Sequence, residues 1–205
     1  MHSPYLKRMK NLITNFDQLD VNGNYTYADY LTWRFDEMVE LIKGKVFKMS
    51  PAPSRFHQDI SVNLTVLLGN YLKSSTCKLY HAPTDVRLIT KGKENQDIIS
   101  VVQPDIFVVC DAGKMDEKGC LGSPDFIIEI VSPGTSSKDL NLKFNLYEGA
   151  GVKEYWIIFP NDQIIECFLL ENGTYIKSGV YAEDVLVPVH SIPGLELQVE
   201  EIFAR

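Results

Sequence analysis

Three residues have the types and spacing to act together on a phosphate ester: Asp105, Glu129 and Lys143. Asp105 follows Pro104 in "QPDIFVV", and Glu129 lies 24 residues later inside "DFIIEIV". Ile127, Ile128, Ile130 and Val131 mark that second run as a buried strand, so Glu129 is a carboxylate where water is excluded. A charge placed there needs a partner. Two carboxylates on neighbouring strands repel each other, and one is driven towards its protonated form. A divalent cation removes the conflict. Mg²⁺ prefers hard oxygen ligands and commonly takes one or two protein carboxylates, with water and phosphate completing its shell. Such an ion can polarise a phosphoryl oxygen and lower the pKa of bound water. A nearby amine could orient the nucleophile or stabilise charge in the transition state. Lys143, in "DLNLKFNLYE", is the candidate.

For these three to meet, the chain must build two adjacent strands with a helix over them. "PDIFVVC" and "DFIIEIVS" read as short apolar strands deep in a sheet, and the loop 111–123 is long enough to return the second beside the first. "SSKDLNLKFNLYEGAG" reads as a helix, with Ser136 or Ser137 as cap and Gly149 or Gly151 as stop. Packed on the sheet, it directs Lys143 back towards Glu129, with Tyr147 one turn on along the same face. Lys138, in the loop or first turn, is the weaker source of an amine.

Upstream, "TYADYLTWRF" has helical spacing behind Thr26, and "MVELIKGKVFKM" reads as a hairpin turning at Lys43-Gly44. "PSRFHQDISVNLTVLLGNYLK" is an amphipathic helix with Phe56, Ile60, Leu64, Leu67 and Tyr71 on one face. "CKLYHA" and "DVRLIT" read as strands. Downstream, "KEYWIIFP", "QIIECFLLE" and "GTYIKSGVY" form a meander with a turn at 172–174. This order implies an α/β (α+β) fold: a mixed β-sheet core flanked by helices, with a C-terminal β meander. Residues 1–25 read as an N-terminal extension and 26–205 as one domain.

Composition narrows the field. The 205 residues are 45% hydrophobic and 23% charged, as in an ordinary globular domain. No apolar run approaches the ~18 residues of a membrane span. The N-terminus lacks the apolar core and cleavage site of a secretory signal, so a cytoplasmic location is expected. Cys77, Cys110, Cys120 and Cys167 contain no CxxC pair and read as reduced, with Cys110 and Cys167 as small buried thiols. A net charge of −7 opposes a broad nucleic-acid surface; phosphate binding would need a local basic groove or metal ions. "SPGTSSKD" lacks phosphate-loop spacing, and the glycines of "GAGVKEYW" follow a helix, not a strand.

Pro104-Asp105 and Glu129 resemble the PD-(D/E)XK nuclease superfamily. The sequence departs from that pattern at Val131, where the lysine would stand. Lys143 is the substitute, as in branches whose amine comes from the following helix. A closer resemblance covers roughly residues 26–165. "YADYLTW", "VELIKGKVFKMSPAPSRFHQDISVNL", "DVRL", "QPDIFVV" and "IIEIVSPGTSSKDLNLKFNLYEGAGVKEYWIIFP" look like successive segments of the Uma-two family of restriction-endonuclease-like proteins. The resemblance implies a restriction-endonuclease-like fold and a Mg²⁺- or Mn²⁺-dependent endonuclease acting on DNA. It implies Asp105 and Glu129 as metal ligands, and a homodimer for duplex cutting, since each site cuts one strand. It also adds Glu40, as a further acid near the metal, and His57, on a helix facing it.

Each residue has a plainer reading too. Glu129 could pair with a buried cation, Asp105 could cap a turn, and Lys143 could be solvated. Glu40 could be a hairpin surface charge and His57 a packing group. Asp85 could be a sheet-edge acid; His81 and His190 lack partner spacing. For the whole chain, the alternatives are a nuclease fold that binds or regulates without cutting, and a partner-binding domain using edge strands of the meander.

Overall fold

The computed structural model describes residues 12–49, 53–89, 91–132 and 137–205, with the side chains of 137–139 left out. The possible cap Ser136 and the side chain of Lys138 therefore lie outside the described residues. The first helix, α1 (Tyr27–Tyr30), ends after one turn and does not reach Phe35 as its spacing suggests. The aromatic side chains that suggest a longer helix are used otherwise. Trp33 stacks on Phe35 and meets Tyr25 edge-on, and the group packs with Leu19 and Val39. The segment before α1 is tied to the domain: Lys45 Nζ donates to the carbonyls of Asn22 and Gly23 at 2.6 and 2.9 Å.

Strands β1 (Val39–Ile42) and β2 (Lys45–Lys48) form the expected hairpin. Lys43 and Gly44, at φ 50° and 81°, supply the left-handed pair that a two-residue turn requires. Helix α2 (Arg55–Leu72) starts under Ser54, whose hydroxyl accepts from the His57 N–H at 3.2 Å. Its buried stripe runs through Ile60, Leu64, Leu68 and Leu72, not through Leu67 and Tyr71. The contact follows a ridge of residues four apart, as in a helix laid obliquely on its neighbour. Tyr71 lies outside it and donates its hydroxyl to the Pro193 carbonyl.

The chain continues through β3 (Lys78–His81), β4 (Val86–Arg87), β5 (Val101–Val102), β6 (Ile106–Val109), β7 (Met115–Asp116), β8 (Gly119–Leu121) and β9 (Phe126–Ile130). Then come α3 (Ser137–Ala150), β10 (Glu154–Phe159), β11 (Ile164–Glu171), β12 (Thr174–Tyr181), β13 (Leu186–Pro188), β14 (Glu196–Gln198) and α4 (Val199–Phe203). The central six-stranded sheet has the order β12-β11-β10-β9-β6-β3. Only β9 and β10 in it run parallel, and α3 is their crossover. A second sheet has the order β2-β1-β5-β4-β8-β7, and β13 pairs with β14.

Both faces of the central sheet are covered, which is why β6 is apolar throughout and β9 is apolar except at Glu129. Phe126, Ile128 and Ile130 meet α2, α4 and the β13–β14 pair on one face. Ile127 meets Leu146 and Tyr147 of α3, with Ile42, Val86 and Val102 of the second sheet, on the other. Glu129 falls in phase with Ile127, so its carboxylate points into the layer between the two sheets. The fold is thus the mixed α+β arrangement expected. Among the described residues no helix is long and apolar enough to cross a membrane.

One expectation is overturned. Cys77 and Cys110 are not separate thiols but a disulfide. Antiparallel pairing of Lys78 with Val109 and of Leu79 with Val108 continues outward to set these two cysteines face to face. Cys120 and Cys167 are free and buried.

Leu64 is wholly buried between α2 and the central sheet. Leu64→Ala should cost about 2–5 kcal/mol, read as a lower urea midpoint with an unchanged slope.

Candidate active site

Three carboxylates, an amine and a phenol converge where β9, β6, β1 and α3 meet. The β6–β9 register pairs Ile106 with Ile128. One step further sets Asp105 opposite Glu129, with both side chains at the same end of the sheet. Asp105 Oδ2 accepts from the Ile130 N–H at 2.7 Å, and its Oδ1 lies 3.3 Å from His57 Nε2. His57 in turn places Nδ1 3.4 Å from Ser132 Oγ. A buried imidazole at the start of α2 thus fixes the orientation of Asp105.

Glu129 is gripped through a single oxygen. Its Oε1 accepts from Lys143 Nζ at 2.9 Å and from the Tyr147 hydroxyl at 2.6 Å. Lys143 and Tyr147 are one turn apart on α3, so docking that helix delivers both donors at once. Lys143 Nζ also reaches Glu40 Oε1, at 3.0 Å, on β1 of the second sheet. The same Glu40 oxygen accepts from the Gln103 N–H at 3.0 Å. All five residues singled out in the sequence, Glu40, His57, Asp105, Glu129 and Lys143, line one cleft of about 520 Å³.

Two other residues support this group. Gln103 holds Glu40 through its backbone, and its side-chain amide donates to Asp85 Oδ1 at 2.9 Å. Tyr30 and Tyr27 hydroxyls approach the two oxygens of Asp85 at 3.4 and 3.5 Å. Asp85 is therefore one step removed from the cleft, acting on it through Gln103. Gln103 is not legible from side-chain chemistry alone; its place two residues before Asp105 is the only signal. His81 lines the cleft. His190 does not join it: its backbone N–H donates to Glu154.

Electrostatics set Glu129 apart. Burial pushes its carboxyl from 4.5 up to about 7, against the lowering charge of Lys143; Asp105 and Glu40 add to the rise, and the Tyr147 hydroxyl opposes it. Burial alone would lower the Lys143 ammonium, but the charges of Glu129 and Glu40 outweigh it and hold Lys143 well above its ordinary range. The amine is a fixed cation, and the acids remain crowded around it.

That crowding is the test for a metal. Among the described residues no group of three His, Cys, Asp or Glu side chains is gathered closely enough to hold an ion unaided. Asp105 and Glu129 offer hard oxygen donors, and their mutual repulsion is relieved by added positive charge. Two carboxylates suit Mg²⁺ or Mn²⁺, whose remaining sites go to water and phosphate. They do not suit a closed four-ligand structural site.

A folded-state pKa near 7 for Glu129 means that the folded chain keeps a proton which the unfolded chain has released. Stability of the metal-free protein should therefore fall as pH rises from about 4.5 to about 7. In Glu129→Gln this part of the slope should vanish, as measured by urea unfolding at both ends of that window.

Comparison with known proteins bears on the family and the fold. The model of the Uma2 family, described as "Putative restriction endonuclease", matches residues 27–200. An uncharacterised protein, slr1290, of Synechocystis is 24% identical over 155 residues, covering 75% of this chain and 71% of its own. The crystal structure of a "putative nuclease belonging to DUF820" from Anabaena variabilis superposes with a TM-score of 0.66 at 22% identity. That match covers 88% of this chain and 98% of the other, and shows a shared fold. The matched segment takes in every strand and helix that positions the cleft, and on that extent the chain belongs to the Uma2 family of putative restriction endonucleases.

Proposed function

We propose that this protein is a metal-dependent endonuclease that hydrolyses DNA phosphodiester bonds in the cleft beside Asp105, Glu129 and Lys143. The observation that carries the reading is the 2.9 Å contact between Lys143 on α3 and Glu129 on β9. Val131 has vacated the strand position for an amine, and a helix restores one to the same acid.

Asp105 and Glu129 would hold Mg²⁺ or Mn²⁺, which supplies Lewis-acid polarisation of the phosphoryl group and a more acidic bound water. The protein's own groups do the positioning. His57 and the Ile130 N–H fix both oxygens of Asp105. Tyr147 holds Glu129 Oε1, leaving Oε2 without a hydrogen bond from any described residue. Glu40 keeps the Lys143 side chain extended into the cleft. From there Nζ can turn one N–H towards the attacking water or a phosphoryl oxygen as charge builds. Water adds to phosphorus in line, and the bond to the 3′ oxygen breaks. The water's hydroxyl stays on the 5′-phosphate and its proton ends on the 3′-hydroxyl.

One such site cuts one strand, so a duplex break takes a homodimer or two visits. A cytoplasmic location belongs to the proposal. The alternative, a nuclease fold that binds or regulates without cutting, draws on the net charge of −7 and on the double pairing of Lys143.

Purified protein incubated with plasmid should cut it only with Mg²⁺ or Mn²⁺. Asp105→Ala and Glu129→Ala should abolish cutting, and Lys143→Ala should lower kcat by roughly 10²–10³-fold. Metal-dependent cutting that survives both acid substitutions rejects these ligands.

A further inference from the structure

The walls of the cleft bear on which form of DNA it takes, an inference that rests on the nuclease reading. The acids are recessed: Glu40 and Glu129 retain 6% and 9% of their surface. A phosphate reaching them must bring a flanking part of its own strand into the cleft.

Duplex binding proteins present a run of free Lys and Arg to successive phosphates, over an interface of roughly 1,000 Å² or more. The described lining of this cleft contains two such cations, of which Lys143 is held by buried acids and Lys48 stands at the exposed rim. Lys143 lies between Glu40 and Glu129. Lys48 lies 3.5 Å from Glu37 and over the Phe16 ring. The lining histidines are occupied as well, His57 with Asp105 and His81 with the Ala82 carbonyl.

What remains is uncharged and mostly apolar, with Gln58, Ser61, Gln103 and Ser132 as its polar members. Met38, Phe47, Met49, Leu140 and Leu142 line the cleft around the acids. Phe47 is the direct cross-strand partner of Glu40, so the ring and the carboxylate share a face of the hairpin. Met38 is 48% exposed, a large apolar side chain left to solvent at the rim. A volume of about 520 Å³ is in the range of pockets that enclose one small ligand, far below a groove for a double helix. In a duplex, the neighbours of a scissile phosphate are other phosphates, which find among the described lining one exposed lysine, Lys48, and no run of cations. In an unpaired strand the neighbour can be a base, whose flat apolar face stacks on such side chains.

We propose that the cleft takes its scissile phosphate from unpaired DNA (a single strand, or the tail or flap of a duplex), with the adjacent base seated against Met38, Phe47 and Met49. The cleft thereby selects strand state ahead of sequence.

Binding tests this without any need for turnover. Using Asp105→Asn to prevent cutting, anisotropy of a labelled oligonucleotide should show the single strand bound at least ~10-fold tighter than its matched duplex. Met38→Ser, at an exposed position that leaves the fold intact, should weaken single-strand binding several-fold. Duplex binding as tight as single-strand binding, or no effect of Met38→Ser, overturns the proposal. The native protein with Mg²⁺ and a tailed duplex should cut within the tail; cuts confined to the paired region also overturn it. If single-strand preference is found but no metal supports cutting, the nuclease reading fails and the cleft stands as a single-strand binding site.

Discussion

The ammonium of Lys143 lies between two carboxylates that belong to different sheets, and the architecture around the cleft depends on that contact. Glu129 comes from the central sheet and Glu40 from the second sheet, and α3 supplies the cation between them. Each acid is nearly buried, so neither could stand there unpaired. Breaking such a pair from one side costs about 3–5 kcal/mol, since it leaves charge stranded in a layer with little water. The interaction therefore fastens three elements that share few other polar contacts. It also fixes where positive charge is available in a chain that is acidic overall.

The protein contains a useful internal contrast. Glu154 is also a buried acid in an apolar strand, completely enclosed on β10. It accepts from the Trp156 indole at 2.8 Å and from the backbone N–H groups of His190 and Ser191 at 3.2 and 2.6 Å. Both of its oxygens are used, and among the described residues every donor to it is neutral. It serves as a clamp for the turn before β14. Glu129 differs in having acidic neighbours, a cationic partner and an oxygen that no described residue bonds. Burial of a carboxylate alone does not mark a site; the company it keeps does.

The same contrast explains what could be read from the chain. Asp105, Glu129 and Lys143 were legible because strand periodicity, a returning loop and helix phase each constrain one of them. Tyr147 followed from Lys143 by one helical turn. Glu40 and His57 rested on family resemblance, because nothing local distinguishes them from a hairpin charge or a packed imidazole. What placed them was packing on the central sheet, of the second sheet for Glu40 and of α2 for His57, a long-range fact without a short-range signature. The two-residue strand β5, and the β13–β14 pair with α4, escaped for a similar reason. They are too short to show a period and exist because a neighbour offers an edge. The α2 stripe was read slightly out of phase, since 56, 60, 64, 67 and 71 fit a helix as well as 60, 64, 68 and 72. Only the tilt of α2 across the sheet decides between them. The cysteine pair was missed because 33 residues separate positions that strand pairing brings together.

Moving the amine from strand to helix has a thermodynamic consequence. An amine at position 131 would have been anchored in the same strand as its acid, and the two could separate only if the sheet came apart. On α3, the cation belongs to an element held by the packing of Leu146, Tyr147 and their neighbours, whose local opening would not require the β-ladder to break. Such an opening would withdraw Lys143 and Tyr147 together, release the restraint on Glu129 and leave Asp105 in place beside His57. The competence of the cleft is thereby coupled to a sub-global equilibrium of one helix, separate from the stability of the sheet beneath it.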